Sequence, residues 1–528
     1  MNQKCSVSKD SDKKRVRVIF LFLREQGSIL PKASGNKPIT SGNKLRRARL
    51  VQTQTMAVCG RFFTLAVNEH GDLFSWGRGE DGQLGLGARR RQQQPARVGG
   101  VELFDNQRIR LIAAGLRHQV VVLENGTVYT CGFGAYGQLG HGDAQSRRWL
   151  TRVPQEAFAG AHVIQVACGN LHTMAVTAEG HAWTCGLNYS GQLGVGGDRT
   201  RSFTFTKVDL GGARIAMAAC GMHHSVVMSA EGRVWTWGCG QDGCLGHDDE
   251  QDMLVPRCCE GLHESTIVMV AAGGNHTAAL GECGSLWAWG DGSQGQLGLG
   301  NIEDRLVPTR VGAEEAFGGS KARMVACGGA RTLVLTVSGE LWVCGEGANG
   351  RLGLNDTVPR LVPTRVDQKH FAGERIAAVD GDSYHSAAVT ESGALYTWGR
   401  AAAGGPGSQM PCGLGHADFV NRLVPTLISP QLLGHARVGR WHGLAEDHAL
   451  AFAMGTHARL GAGVGGVGTG GRRRSRRAQG KAPVEERGQV GCPYVTMPGE
   501  LLNKVVEACA LGPAGGGGRS LGLGGWCG

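Results

Sequence analysis

The strongest constraint on this chain is a pair of landmarks that recurs seven times at one fixed internal distance. A strand-like run ends in Trp-Gly or Cys-Gly at Gly77, Gly132, Gly186, Gly238, Gly290, Gly345 and Gly399. Fourteen residues before each stands Phe63, His118, His172, His224, His276, Arg331 or His385. Successive glycines are 52 to 55 residues apart while the offset of 14 never changes, so all the length variation follows the glycine. A rigid unit with one elastic loop is implied. Units of this size cannot bury an apolar face alone and must stack on their neighbours.

Inside the constant part the pattern alternates with period two. His172-Thr-Met-Ala-Val-Thr leads through Ala-Glu-Gly to His181-Ala-Trp-Thr-Cys-Gly186. Two short alternating runs around a Gly-bearing connection read as a β-hairpin. The turn glycine recurs at 71, 126, 180, 232, 284, 339 and 393. A third run precedes the hairpin (Val166-Ala-Cys-Gly, Val325-Ala-Cys-Gly), and a fourth follows the elastic loop with Pro inside it, as in Leu306-Val-Pro-Thr-Arg-Val311. Pro removes a ladder donor, which places that run at a sheet edge. The fold class expected is all-β: a seven-bladed propeller with four-stranded blades. A truncated eighth copy, His448-Ala-Leu-Ala-Phe-Ala-Met-Gly455, is a candidate for closing the ring by pairing with the first repeat.

The first aromatic of each closing strand (Phe74, Tyr129, Trp183, Trp235, Trp287, Trp342, Tyr396) is read as an inter-blade wedge. A buried aromatic covers about 150–250 Å². Cys59, Cys168, Cys220 and Cys327, with Cys131, Cys185 and Cys344, fall on repeat positions and should act as small core hydrophobes. No CxxC pair exists, so neither a zinc site nor a disulfide framework is expected, and the thiols should be free in a reducing compartment.

Gly is 88 of 528 residues, and 41% of the chain is hydrophobic, which fits a turn-rich β fold with a real core. The formal charge of +11 is concentrated at the ends. Residues 13–49 hold eleven Lys/Arg against one acid, and Arg472, Arg473, Arg474, Arg476 and Arg477 follow a Gly-rich stretch. The organisation expected is a basic disordered leader (1–52), the propeller (53–460) and a Gly/Arg-rich disordered tail (461–528) with a short helix candidate near 499–510. Val16–Leu23 is too short to span a bilayer, which takes about 20 residues, so no membrane association is expected. An intracellular site, nuclear or cytoplasmic, is implied, with organelle targeting by the basic leader as the alternative.

Gly77-Arg-Gly79-Glu-Asp-Gly82 satisfies a dinucleotide fingerprint, but Gln83-Leu-Gly follows instead of a helix. The same string recurs in other repeats, as a turn would and a cofactor site would not. No cofactor, metal or catalytic residue is expected. His118, His172, His224, His276 and His385 start equivalent strands and would circle one zone of the ring. They are either buried imidazoles bonding a neighbouring blade or contacts for a protein partner. The arginine run is either solvated linker or an import or phosphate-binding signal.

The unit Val-Ala-Cys-Gly-x-x-His-Thr followed by Leu-Trp-x-Trp-Gly-x-Gly-x-x-Gly-Gln-Leu-Gly resembles the regulator of chromosome condensation repeat. Gly82-Gln-Leu-Gly85, Gly137-Gln-Leu-Gly140, Gly191-Gln-Leu-Gly194 and Gly295-Gln-Leu-Gly298 carry the likeness, which covers residues 56–460. The resemblance implies a seven-bladed ring. It also implies a guanine-nucleotide exchange factor for a Ran-like small GTPase that docks on chromatin, with the repeat histidines near the GTPase-binding face. The chain departs from that pattern at Phe63, Arg331 and Cys244, and no long insertion offers a wedge for the GTPase. A second branch, the plant UV-B photoreceptor, resembles Gly-Trp-Arg-His-Thr, which this chain lacks; only Arg440-Trp441-His442 is faintly similar. Two functions follow: regulation of a small GTPase by exchange, or a scaffold that binds a protein partner or chromatin without acting on nucleotide.

Overall fold

The computed structural model describes residues 56–438, apart from 198, 263–264, 313–315, 404–409, 412 and 437. The leader, the eighth copy at His448–Gly455, the Arg472–Arg477 run and the helix candidate near 499–510 lie outside the described residues.

Seven four-stranded antiparallel sheets form, each a simple meander from one continuous stretch: 56–99, 109–152, 163–207, 215–258, 267–310, 322–365 and 376–427. They are called blades 1 to 7. Every innermost strand touches the next around the circle, including the seventh against the first, so the ring is closed.

The constant offset of 14 is a strand register. His118 lies directly opposite Gly132, His172 opposite Gly186, and the other five pairs match. The closing glycines sit at φ of +100° to +114°. A Cβ on Gly132 would stand 2.3 Å from the carbonyl oxygen of Arg117, so no other residue fits where the strand leaves its partner. Pro256, Pro308, Pro363 and Pro425 lie in outermost strands, where a missing donor breaks no ladder.

Blade 1 draws all four strands from its own segment, so among the described residues closure borrows no strand. It rests on contacts between blades 7 and 1 instead. The Cys59 amide donates to Asp380 Oδ2 at 2.7 Å, the Trp76 indole donates to the Gly413 carbonyl at 2.6 Å, and Asn68 bridges Val438.

The wedge assignment needs correcting. Trp183, Trp235, Trp287 and Trp342 are only half-buried. At four of the seven positions the ring lies edge-on to a linker phenylalanine: Phe104–Tyr129, Phe158–Trp183, Phe317–Trp342 and Phe371–Tyr396. The fully buried aromatics are two residues later, Trp76, Trp237, Trp289 and Trp398, each at zero exposure. Cys131, Cys185 and Cys344 hold this inner position in the other blades. The described cysteines are free thiols, and burial raises that of Cys131 to about 12. Among the described residues no helix is long and apolar enough to cross a membrane, and no cluster of His, Cys, Asp or Glu could hold a metal.

Candidate partner-binding face and the histidine locks

The five landmark histidines are brought into one circle, but inside the wall of the ring. All are 0–1% exposed. Each reaches across a seam to the residue that follows the landmark in the next blade. His118 Nε2 meets the Thr173 hydroxyl at 2.9 Å, His172 meets Ser225 at 3.1 Å, and His224 meets Thr277 at 3.0 Å. His276 meets Thr332 at 3.1 Å and His385 meets Thr64 at 2.7 Å.

Each hydroxyl is itself a donor to the glycine-rich turn of the preceding blade: Thr173 to Gln138 O, Ser225 to Gln192 O, Thr277 to Cys244 O, Thr332 to Gln296 O and Thr64 to Gly413 O, at 2.7–2.8 Å. A hydroxyl has one hydrogen, so it must accept from the imidazole, which assigns the proton to Nε2. Burial lowers His118 and His276 to about 4, the latter against the opposing charge of Asp291, and His172 and His224 to about 3. These four imidazoles are neutral, and none of the five landmark histidines exposes more than 1% of its surface.

Two seams differ. Arg331 replaces His in blade 6 and is fully buried, donating to the Ser386 hydroxyl at 3.1 Å and to the His385 carbonyl. Burial lowers its guanidinium to about 10, so it stays cationic at neutral pH. Phe63 replaces His in blade 1, and Gln119 replaces the hydroxyl it would meet. The two changes are complementary, and an apolar cluster of Phe63, Leu65, Phe104, Ile112 and Val121 fills that seam.

The two residues before each landmark, buried or half-buried, gather around the mouth of a central channel of about 300 Å³ lined from all seven blades. Sequence reasoning passes over them because they do not repeat. That variation is their signal. On blades 7, 1, 2 and 3 they join nearby turn residues in an aromatic and aliphatic cluster of Phe62, Leu116, Leu171, Leu187, Phe133, Tyr136 and Tyr384. Phe62 and Tyr384 stack with centroids 4.9 Å apart.

Arginines crowd this cluster. Arg61 and Arg78 lie 5.5–5.7 Å from the Phe62 ring, Arg351 and Arg400 lie 5.2–5.4 Å from Tyr384, and Arg117 is 4.4 Å from Phe133. Arg78 and Arg117 are paired with Glu80 and Asp81, whereas Arg61 is bonded only to the Tyr384 hydroxyl and not to a carboxylate. On blades 4 and 5 the same zone turns acidic, with Asp242 and Asp291, while Glu346 of blade 6 is paired with Arg351. Burial, with Asp291 and Asp304 nearby, raises Asp242. The face is therefore apolar and cationic on one side and anionic on the other.

Sequence comparison matches residues 30–321 to the RCC1-like domain and residues 338–389 to the regulator of chromosome condensation (RCC1) repeat. The chain is 38% identical over 294 residues to the ultraviolet-B receptor UVR8 of Arabidopsis thaliana, spanning 56% of this chain and 65% of that protein. It is 35% identical over 306 residues to the human E3 ubiquitin-protein ligase HERC2, covering 58% of this chain but only 6% of the ligase. Prp20p of Saccharomyces cerevisiae shares the fold, with a TM-score of 0.59 at 23% identity over 69% of this chain and 87% of its own. With seven matching blades and a domain match over more than half its length, this chain belongs to the RCC1-like domain family.

Proposed function

We propose that this propeller docks a protein partner on the face around its channel mouth, and that the partner is a Ran-like small GTPase whose nucleotide release it regulates. The observation that carries the reading is the aromatic–arginine cluster. It is a single-copy sector on an otherwise repetitive ring, and Arg and aromatic side chains supply most of the energy at protein interfaces. In support, the Prp20p structure is described together with its binding to Gsp1p and histones. The buried histidines position the blades in this reading, and contact falls to the half-buried Arg61 and Tyr384 and to the 58% exposed Tyr189.

A scaffold role without exchange is the second reading. It is favoured by HERC2, where the similar propeller is a small part of a much larger ligase. Chromatin contact, in either reading, would come from the chain ends. Residues 56–438 hold 31 Lys/Arg against 35 Asp/Glu, so that segment has no excess charge for phosphates. Light reception is not proposed, since none of the seven residue pairs before the landmarks contains Trp.

The test is release of a fluorescent nucleotide from a Ran-like GTPase. The wild type should accelerate it, and Arg61→Glu and Tyr189→Ala should each cut the acceleration by about tenfold, some 1.4 kcal/mol, with the melting temperature unchanged. No acceleration by the wild type removes the exchange reading. If the GTPase, loaded or empty, is still captured through this face, the scaffold reading stands.

A further inference from the structure

One inner strand departs from the other six. Where blades 3 and 6 read Val-Ala-Cys-Gly, blade 7 reads Val379-Asp380-Gly381-Asp382. Blade 7 faces blade 1 at the seam where the ring closes on itself.

Both carboxylates are turned to holding that seam. Asp380 Oδ2 accepts the Cys59 amide of blade 1 at 2.7 Å, where the seam between blades 3 and 4 makes a similar inner-strand contact with a neutral side chain, Gln165 Oε1 accepting the Ala218 amide at 2.8 Å. Asp382 Oδ1 accepts the amides of Tyr384 at 2.5 Å and His385 at 2.9 Å. Its Oδ2 lies 3.3 Å from His385 Nδ1, and the other nitrogen of that ring meets Thr64 of blade 1. Asp380 thus grips blade 1 directly, while Asp382 braces the start of the strand from which His385 reaches Thr64 of blade 1.

We propose that Asp380 and Asp382 form a proton-sensitive latch that sets how tightly blade 7 closes on blade 1.

The charged and titratable groups around Asp380 are Asp382 and His385 from its own blade, Cys59 from blade 1 and Arg331 from blade 6. Burial keeps the Cys59 thiol neutral. The Arg331 cation balances one carboxylate, leaving the second in excess. Burial is the main force on Asp380 and Asp382 adds to it; together they outweigh the Cys59 and Gly381 amides and the His385 ring, raising the carboxyl to about 6. An unfolded Asp titrates near 3.9, so its contribution to closure is full below that pH and lost as pH rises through about 6. A protonated Asp380 still accepts from the Cys59 amide and no longer opposes Asp382. Acid therefore tightens this seam.

The test is amide hydrogen exchange, corrected for intrinsic rates, at pH 7.5 and 5.5 on the full chain. Protection of Met56–Gly60, taken relative to the blade 4 strand Ile215–Cys220, should rise about fourfold at the lower pH in the wild type. In Asp380→Asn, which keeps the acceptor and cannot titrate, the ratio should stay at the higher value at both pH values. A wild-type ratio that does not change overturns the latch. So does a pH response that survives in Asp380→Asn. If that variant does not fold, the wild-type ratio alone decides.

Discussion

Acidification is expected to unfold this ring well before ordinary carboxylate titration is complete. His118, His172, His224 and His276 are held at about 3 to 4, below the usual 6.5, because burial penalises their charged forms. A depressed histidine contributes stability that is present above about 6.5 and lost as pH falls toward the folded value. A tenfold loss of proton affinity is worth about 1.4 kcal/mol, so each ring histidine stands to lose on the order of 3–5 kcal/mol by the time pH reaches its folded value. His223, His141 and His416, each lowered to about 4 by burial, act in the same direction. Against a typical domain stability of about 5–15 kcal/mol, the midpoint should fall between about pH 4 and 5, read by far-UV circular dichroism. His276→Gln can still donate to Thr332 without titrating, so it should move the midpoint to lower pH. A ring still folded at pH 4 would refute the neutral-lock assignment.

Replacing an inner tryptophan should be the most damaging single change in the wall. Trp398 is fully buried and its indole donates to the Arg351 carbonyl of blade 6 at 3.0 Å. Trp237 does the same to Gln192 O of blade 3 at 3.0 Å. Trp398→Ala should cost about 3–5 kcal/mol through the cavity it leaves, while Trp398→Phe should cost about 1–2 kcal/mol for the unpaired carbonyl and lost volume. Trp287→Ala, at the half-buried position, should cost clearly less than Trp398→Ala. Urea denaturation of the three variants checks the order. If Trp287→Ala proves the most costly, the outer position is the wedge after all.

That reversal shows where the sequence is legible and where it is not. Blade number, hairpins, edge strands and the Gly turns follow from residues that must repeat because backbone geometry repeats. Trp235 and Trp237 are both aromatic and two residues apart, so they share a strand face. Depth along that face depends on the linker packed over it, and the linker helices such as Gln155–Phe158 have no periodic signature. The histidines do fall on equivalent strands, but a strand start can point into a seam or out to solvent with the same spacing. Only the following hydroxyl, Thr173 or Ser225 one blade later, marks the seam. The residues that vary between repeats, Arg61-Phe62 against Gly274-Asn275, carry the face and leave no pattern to read.

Because every blade is built from one unbroken stretch, the ring has a fixed order of assembly. The lock partners at blades 2 to 6 are 53 to 56 residues apart, whereas Cys59 and Asp380 are separated by 321. Loop-closure entropy grows as about (3/2)RT ln n, so the last seam costs only about 1.6 kcal/mol more to close than its neighbours. The difference matters in time more than in energy. As the chain leaves the ribosome, blades 1 to 6 can lock one on another while the outer face of blade 1, with Ala66, Phe74 and Trp76, waits for Ala387, Val389 and Ile428. Until blade 7 arrives the molecule is an arc with an apolar end. A chain truncated before Gly413 would lose the carbonyl that receives both Thr64 and Trp76 and would remain such an arc, open to a second copy of itself.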